Sequence, residues 1–332
     1  MHTASVALAA RRALVAIGLI WLVVTLTFVL LRAAPGDAAD LLVPPGATTG
    51  DAERIRTELG LDRSMLVQYA RWLRATVSGD LGTSFSSGRR VSEVLREAAP
   101  VSIALGGLSL ALTFALGVPL GMFQARRRGR AADRVLTALA TAVYAAPTFW
   151  LALALVAVFT YGAATLNLPP WLRLPAFGVR TPGLELSGWA GFVDLVRHAL
   201  LPVSILAAVG AAGIARYART SALDLLRLDF VRTARAKGAT DRAVMGRHVL
   251  APMLPTLVVL FALSLPGLVA GSIFVESVFA WPGLGRITLS AIQARDYPVI
   301  MGATLWYAAA VIVANLAAEL ALPVLDPRRE SA

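Results

Sequence analysis

Six stretches of this chain contain no Asp, Glu, Lys, Arg or His: Ala13–Leu31, Ala98–Ala125, Val135–Leu172, Ala199–Ala215, Val249–Val275 and Tyr297–Ala318. A helix rises about 1.5 Å per residue, so roughly 20 apolar residues span the ~30 Å hydrocarbon layer of a bilayer. The pattern predicts an all-α membrane protein with six transmembrane helices. At 57% hydrophobic and 15% charged residues, the chain sits far from the soluble-domain balance of about 25% charged. The third run holds a span plus a turn-rich extension, because Asn167, Pro169, Pro170 and Pro175 break any helix after about Tyr161. The fourth is the shortest, and its helix is expected to continue into the basic segment behind it. The first has an uncharged core of 19 residues, longer than the ~7–15 of a signal peptide's apolar region, and reads as a retained span.

The net charge of +11 is distributed by loop. Arg11 and Arg12, then Arg126, Arg127, Arg128, Arg130 and Arg134, then eight cations from Arg216 to Arg247, then Arg328 and Arg329 fall on one side. Arg32 to Glu97, by contrast, balances nine arginines with nine acids. This positive-inside pattern places both termini in the cytoplasm of an inner or plasma membrane. It also argues against nucleic acid as a partner, because the cations are spread over membrane loops without interleaved aromatics.

The inventory removes several chemistries. There is no cysteine, hence no thiolate metal site or cysteine nucleophile. Lys237 is the only lysine and is followed by Gly238 and Ala239, so the phosphate-binding GK[ST] of a P-loop ATPase is absent. An SxxK nucleophile would need serine at 234, where Ala234 stands. His2, His198 and His248 fall too far apart along the topology for a metal site or for an intramembrane hydrolase. No catalytic residue, metal or cofactor is expected on this chain. Glu276, at the outer end of the fifth span, and Glu319, near the inner end of the sixth, are expected to reach an interface at modest cost. A proton-coupled secondary transporter would carry acids near the midplane, and none is evident.

Three connecting segments carry further signals. In the outer segment, Ser64 can cap a helix in which Met65, Leu66, Tyr69, Trp72 and Leu73 recur at helical spacing, an amphipathic helix resting on the membrane or packing over the bundle. Residues 228–254 read as a hairpin of two short helices. Asp229 is placed to cap a helix over Phe230–Lys237, Arg235 and Lys237 complement its dipole, Gly238 takes the left-handed C-cap, and Thr240 caps the next helix. Such a hairpin is a docking surface. Trp281, Pro282, Gly283 and Gly285, following Glu276, read as an aromatic interface anchor and a tight turn that stops the fifth span. Within the spans, Gly117 with Gly121 and Gly267 with Gly271 permit close helix contact, and Pro119, Pro147, Pro202 and Pro266 permit kinks.

Seven segments, in order, carry a family resemblance: LRAAPGD at Leu31–Asp37, LGLDRSMLVQYARWL at Leu59–Leu73, GDLGTSF at Gly79–Phe85, DFVRTARAKG at Asp229–Gly238, ESVFAWPGLG at Glu276–Gly285, ARDYP at Ala294–Pro298 and LDPR at Leu325–Arg328. The chain resembles, nearly end to end, the permease subunits of ATP-binding-cassette importers of the dipeptide, oligopeptide and nickel type. In that family's cytoplasmic signature, Glu-Ala-Ala is followed by three residues and Gly, then by Ile-x-Leu-Pro. Here Arg232, Thr233 and Ala234 take the first three positions, Gly238 the glycine and Leu250 the leucine, while Arg232, His248 and Ala251 depart from Glu, Ile and Pro.

The resemblance implies a type I importer permease fold with an outer segment between the first two helices. It divides the chain into a tail and first span (1–34), an extracytoplasmic segment (35–97), a five-helix permease domain (98–325) containing the coupling loop (228–254), and a cytoplasmic tail (326–332). It implies that Asp229, Arg232, Thr233, Ala234, Lys237, Gly238 and Thr240 couple to an ATPase, and that Glu276, Trp281, Pro282, Gly283 and Gly285 shape an outer gate. The implied partners are a second, similar permease, two cytoplasmic ATPase subunits that bind ATP and Mg, and an extracytoplasmic solute-binding protein. The solute is a di- or oligopeptide, with nickel chelates, oligosaccharides or another small solute as alternatives.

Overall fold

The computed structural model describes residues 2–33, 49–58, 60–270 and 273–325. Most of the LRAAPGD and LDPR segments, Gly271 and the side chain of Glu319 lie outside the described residues. In chain order the helices are α1 (His2–Ala33), α2 (Thr49–Glu58), α3 (Met65–Val77), α4 (Val91–Arg126), α5 (Ala131–Ala145), α6 (Thr148–Val156), α7 (Gly188–Leu225), α8 (Asp229–Ala236), α9 (Asp241–Ala243), α10 (Ala251–Ala270), α11 (Ile273–Val278), α12 (Leu284–Gln293) and α13 (Tyr297–Leu325). Wider π-helical turns extend α6 over Ala157–Tyr161 and join α9 to α10 over Val244–Leu250. Among the described residues the one β-pairing is an isolated bridge between Thr83 and Arg90.

Among the described residues, five helical stretches are long and apolar enough to cross a membrane: Leu14–Ala33, Val91–Arg126, Gly188–Leu225, Asp241–Leu265 and Tyr297–Leu316. The pair Ala131–Ala145 and Thr148–Tyr161 passes the same test only when taken together and is bent by 104°, the geometry of a broken span or of a re-entrant loop. The bend has a local cause. Pro147 disfavours helical backbone at Ala146, which sits extended at φ −74°, ψ 140°, so α5 stops there and α6 restarts at a new angle. The third run is therefore a broken helix pair, a sharper departure than a kink. Its helix ends at Tyr161 as expected, and α7 continues through Arg216 and Arg219 as expected.

The chain divides into two compact units, Met1–Val101 with Gly283–Val313, and Ser102–Pro282 with Ala314–Ala332. In the first, Val91, Leu95 and Ala98 of α4 pack with Leu284 and Ala291 of α12 and with Ile300 and Ala303 of α13. Gly302 makes that contact close, since a Cβ there would lie 2.6 Å from Val91 Cγ1. Ser64 stands at the N-terminus of α3 without a side-chain capping bond. The α3 helix packs rather than floats: the Phe28 ring of α1 lies 5.2 Å from that of Tyr69 and 6.3 Å from that of Trp72.

Asp296 of the ARDYP segment organises this unit. It is fully buried, and its carboxylate accepts from Ser84 Oγ at 2.6 Å, Ser86 Oγ at 2.8 Å, and the Phe85 and Ser86 amides at 3.1 Å each. These charge-assisted bonds fasten the GDLGTSF turn to the start of α13.

In the second unit, α7 presents a stripe of small buried residues, Ala207, Ala211, Ala215, Ala218 and Ala222, to its neighbours. Gly117 and Gly121 of α4 face it. A Cβ on Gly117 would come within 2.9 Å of the Ala211 carbonyl, and one on Gly121 would collide with the Ala215 carbonyl. That glycine pair makes the close contact expected of it. Among the described residues nothing lies within 4 Å of a Cβ placed on Gly267, and Gly271, the other half of that pair, lies outside them.

Candidate functional site

The basic hairpin, residues 228–254, follows the end of α7 at Leu225. Leu228, extended at φ −74°, ψ 148°, is the N-cap of α8, and Asp229 is its first helical residue. This corrects the capping role expected of Asp229. Its carboxylate instead sits in the first turn, favourable to the helix dipole, and accepts from Arg232 Nη1 at 3.1 Å. Thr233 Oγ1 donates to the Asp229 carbonyl at 3.0 Å.

At the other end, Gly238 adopts φ +84°, and the Gly238 amide donates to the Arg235 carbonyl (2.9 Å) while the Ala239 amide donates to that of Ala234 (3.1 Å). These two bonds form a Schellman motif, which satisfies carbonyls that the last turn leaves open and needs the left-handed residue that glycine supplies. Thr240 then caps as expected, its Oγ1 accepting from the Ala243 amide at 3.3 Å. The second arm is not a separate short helix. It runs from Asp241 through the π-helical turn into α10, so the hairpin's second arm is the leading end of the fifth span.

One face of the hairpin is packed. Val231, Val244 and Val249 are fully buried, with Met245, against Ala125 of α4, Ala218 and Ala222 of α7, and Met253 and Leu257 of α10. Burying each valine contributes about 1.5–3 kcal/mol. The opposite face is exposed at Arg232, Thr233, Arg235, Ala236, Lys237, Gly238 and Thr240, with Ala234 half-buried at its edge. The Arg232 and Asp229 side chains stay 74% and 92% exposed, so this ion pair is a surface feature open to exchange of partners.

Two residues beside the hairpin escaped the sequence reading. Asp133, buried in the first turn of α5, accepts from Arg219 of α7 through Nε (2.8 Å) and Nη2 (2.9 Å), and from the Gly129 amide (2.9 Å). Arg219 lies between Ala218 and Ala222, which carry the hairpin's packed face. Asp133 is the lone acid in the run Arg126–Arg134, the signal that could have marked it.

The segment after the fifth span also differs from expectation. Glu276 on α11 does not reach an interface: it is fully buried and accepts from Ser102 Oγ at 2.7 Å. Trp281 is buried, 5% exposed, rather than an interfacial anchor. The turn itself is present. Ala280 takes φ +54°, and the Trp281 amide returns to the Glu276 carbonyl at 2.8 Å, stopping α11. Pro282 is exposed at the end of the second unit, while in the first Gly283 is the N-cap of α12 and Gly285 is buried in its first turn. The hairpin and the turn thus lie apart in sequence and in chemistry, the first a basic exposed face and the second a buried carboxylate beneath a turn. Among the described residues no three His, Asp or Glu side chains converge on a point that could hold a metal.

Comparison with known proteins gives this arrangement its context. The family model "Binding-protein-dependent transport system inner membrane component" matches residues 117–331, and the model for the N-terminal part of such membrane components matches residues 6–106. The chain is 36% identical over 321 residues to the oligopeptide transport system permease protein AppB of Bacillus subtilis, covering 96% of this chain and 98% of that one. It is 34% identical over 315 residues to the probable D,D-dipeptide transport system permease protein DdpB of Escherichia coli K12, covering 92% of each. Among solved structures, a chain of the MetNI methionine ABC transporter in inward-facing conformations aligns with a TM-score of 0.50 at 17% identity, over 71% of this chain and 97% of that one. That likeness bears on fold alone and agrees with the type I importer permease architecture. Matched along most of its length by the family models and by relatives at 34–36% identity, the chain belongs to the inner-membrane permease components of binding-protein-dependent transport systems.

Proposed function

We propose that the chain forms half of the transmembrane pathway of an importer for di- or oligopeptides, driven by separate ATPase subunits and fed by an extracytoplasmic solute-binding protein. The observation that carries this reading is the coupling hairpin. Its valines tie it to α4, α7 and α10 while its basic, Schellman-capped face is exposed. A groove on an ATPase subunit gripping Arg232, Thr233, Ala234, Lys237, Gly238 and Thr240, with Asp229 at the edge, would move α7 and α10 directly, because the second arm is continuous with the fifth span. ATP and Mg would bind to those partners, and their closure would favour one orientation of the spans through its differential affinity for the two states.

The rest of the assembly follows the same reading. A second, similar permease completes the pathway, the permease domain spans 98–325, and both termini face the cytoplasm as the cation distribution directs. Glu276, Trp281, Pro282, Gly283 and Gly285 would set the outer gate, with the buried carboxylate on α11 and the turn that stops that helix. The peptide solute rests on what the relatives are named for, an oligopeptide and a D,D-dipeptide system. The test is uptake of a labelled dipeptide into proteoliposomes holding the complete complex. Uptake that requires ATP, the ATPase subunits and the binding protein supports the proposal, and uptake that persists without the ATPases overturns it in favour of a secondary transporter.

A further inference from the structure

A cavity of about 480 Å³ opens within the first unit at the end of α1. Arg32, Arg71, Gln68, Glu58, Trp72 and Tyr297 are among the residues on its wall. The volume lies in the ~300–1,000 Å³ range of small-molecule sites. Its chemistry is of two kinds. The Arg32 guanidinium is held between aromatic faces, 5.5 Å from the Phe28 ring centroid and 5.0 Å from that of Tyr297, and the exposed Arg71 adds a second cation. Acceptors stand on the same wall. The Gln68 amide is fixed by donating to the carbonyls of Arg63 (2.6 Å) and Leu61 (3.2 Å), which leaves its buried Oε1 with no partner. The Glu58 carboxylate is held by Arg54 at 3.2 Å yet remains 63% exposed.

We propose that this cavity binds the headgroup of phosphatidylethanolamine, the phosphate on Arg32 and Arg71 and the ammonium on Gln68 Oε1 and Glu58. Two guanidiniums suit a phosphate, and two acceptors suit a group with N–H donors. A lipid, rather than a soluble zwitterion of the same charges, is favoured by position. Arg32 stands one residue before the end of the twenty-residue apolar stretch Leu14–Ala33, where a spanning helix meets the headgroups, and the exposed Leu26 (53%), Val29 (42%) and Leu30 (69%) before it offer a track for acyl chains.

The test uses the assembled transporter in nanodiscs of equal phosphatidylethanolamine and phosphatidylcholine, with retained lipid read by native mass spectrometry. Phosphatidylcholine carries the same phosphate but no N–H on its ammonium. The wild type is expected to retain phosphatidylethanolamine over phosphatidylcholine by about tenfold, Arg71→Gln to lose both by about tenfold, and Glu58→Gln to keep the lipid while losing most of the preference. Both replaced side chains are exposed, so folding is preserved. Equal retention of the two lipids by the wild type, no effect of Arg71→Gln, or displacement of the retained lipid by an added dipeptide would each overturn the proposal, the last by assigning the cavity to solute.

Discussion

Replacing Asp296 by Asn tests the buried clamp between ARDYP and GDLGTSF by exchanging one carboxylate oxygen for an NH2 and removing the charge, with almost no change of shape. In the wild type, four donors at 2.6–3.1 Å converge on the carboxylate: Ser84 Oγ, Ser86 Oγ and the amides of Phe85 and Ser86. The asparagine oxygen can still accept from the Phe85 amide. The other position becomes an NH2 that cannot accept, so the Ser86 amide loses its partner and both serine hydroxyls must turn round. One orphaned buried donor costs about 1–3 kcal/mol, and loss of charge assistance adds to it, giving about 3 kcal/mol locally. Hydrogen exchange over residues 82–88 in the reconstituted complex reads this quantity, because local opening sets the rate. Three kcal/mol corresponds to exchange roughly a hundredfold faster. Ser86→Ala, which removes one hydroxyl donor and leaves both amides bonded, should accelerate exchange only about fivefold. Protection in Asp296→Asn within about threefold of wild type would refute the view that this carboxylate holds the turn.

Other perturbations follow the same logic. Gly238→Asp meets no steric obstacle, since nothing lies within 4 Å of a Cβ there, but φ +84° makes the residue costly by about 1 kcal/mol and puts a negative charge on the basic face. ATP-driven uptake should fall by about tenfold with membrane insertion unchanged, and wild-type uptake would weigh heavily against docking. Gly121→Leu forces a side chain into the Ala215 backbone and should lower the thermal midpoint in detergent by a cost of about 1–3 kcal/mol or more, whereas Gly107→Ala, with open space around it, should not. Asp133→Asn breaks a pair whose aspartate is 3% and arginine 27% exposed, costing about 2–4 kcal/mol once that exposure is discounted. Adding Arg219→Gln should then cost less than the two changes separately, as a double-mutant cycle would measure.

What could be read from the sequence, and what could not, divides by the range of the interaction. Local chemistry was legible: the end of α6 at Tyr161, the left-handed Gly238 and the cap at Thr240 depend on residues within a few positions of one another. One local assignment slipped by a residue, because the extended backbone of Leu228 supplies the N-cap without a side-chain acceptor and so leaves Asp229 free to pair with Arg232. Long-range pairing was not legible. Glu276 reads as an interfacial acid until Ser102, 174 positions away, is seen to hold it in a buried site. Asp133 reads as one acid among arginines until Arg219 arrives from another helix. The motifs GDLGTSF and ARDYP were recognised as resemblances, but their joint reason, the Asp296 carboxylate, needed the fold. The glycines show the same limit: Gly117 and Gly121 have a backbone to touch, whereas Gly267 has none within 4 Å among the described residues.

The chain has no cysteine, so a single one placed at the exposed Ala236 on α8 reports on the hairpin without background. In the assembled complex, Ala236→Cys is predicted to crosslink to an ATPase subunit, with a yield that changes when ATP is added, and to resist a membrane-impermeant thiol reagent applied from outside. Labelling of that cysteine from outside, or capture of no ATPase subunit at all, would contradict the claim that this hairpin receives the work of ATP hydrolysis.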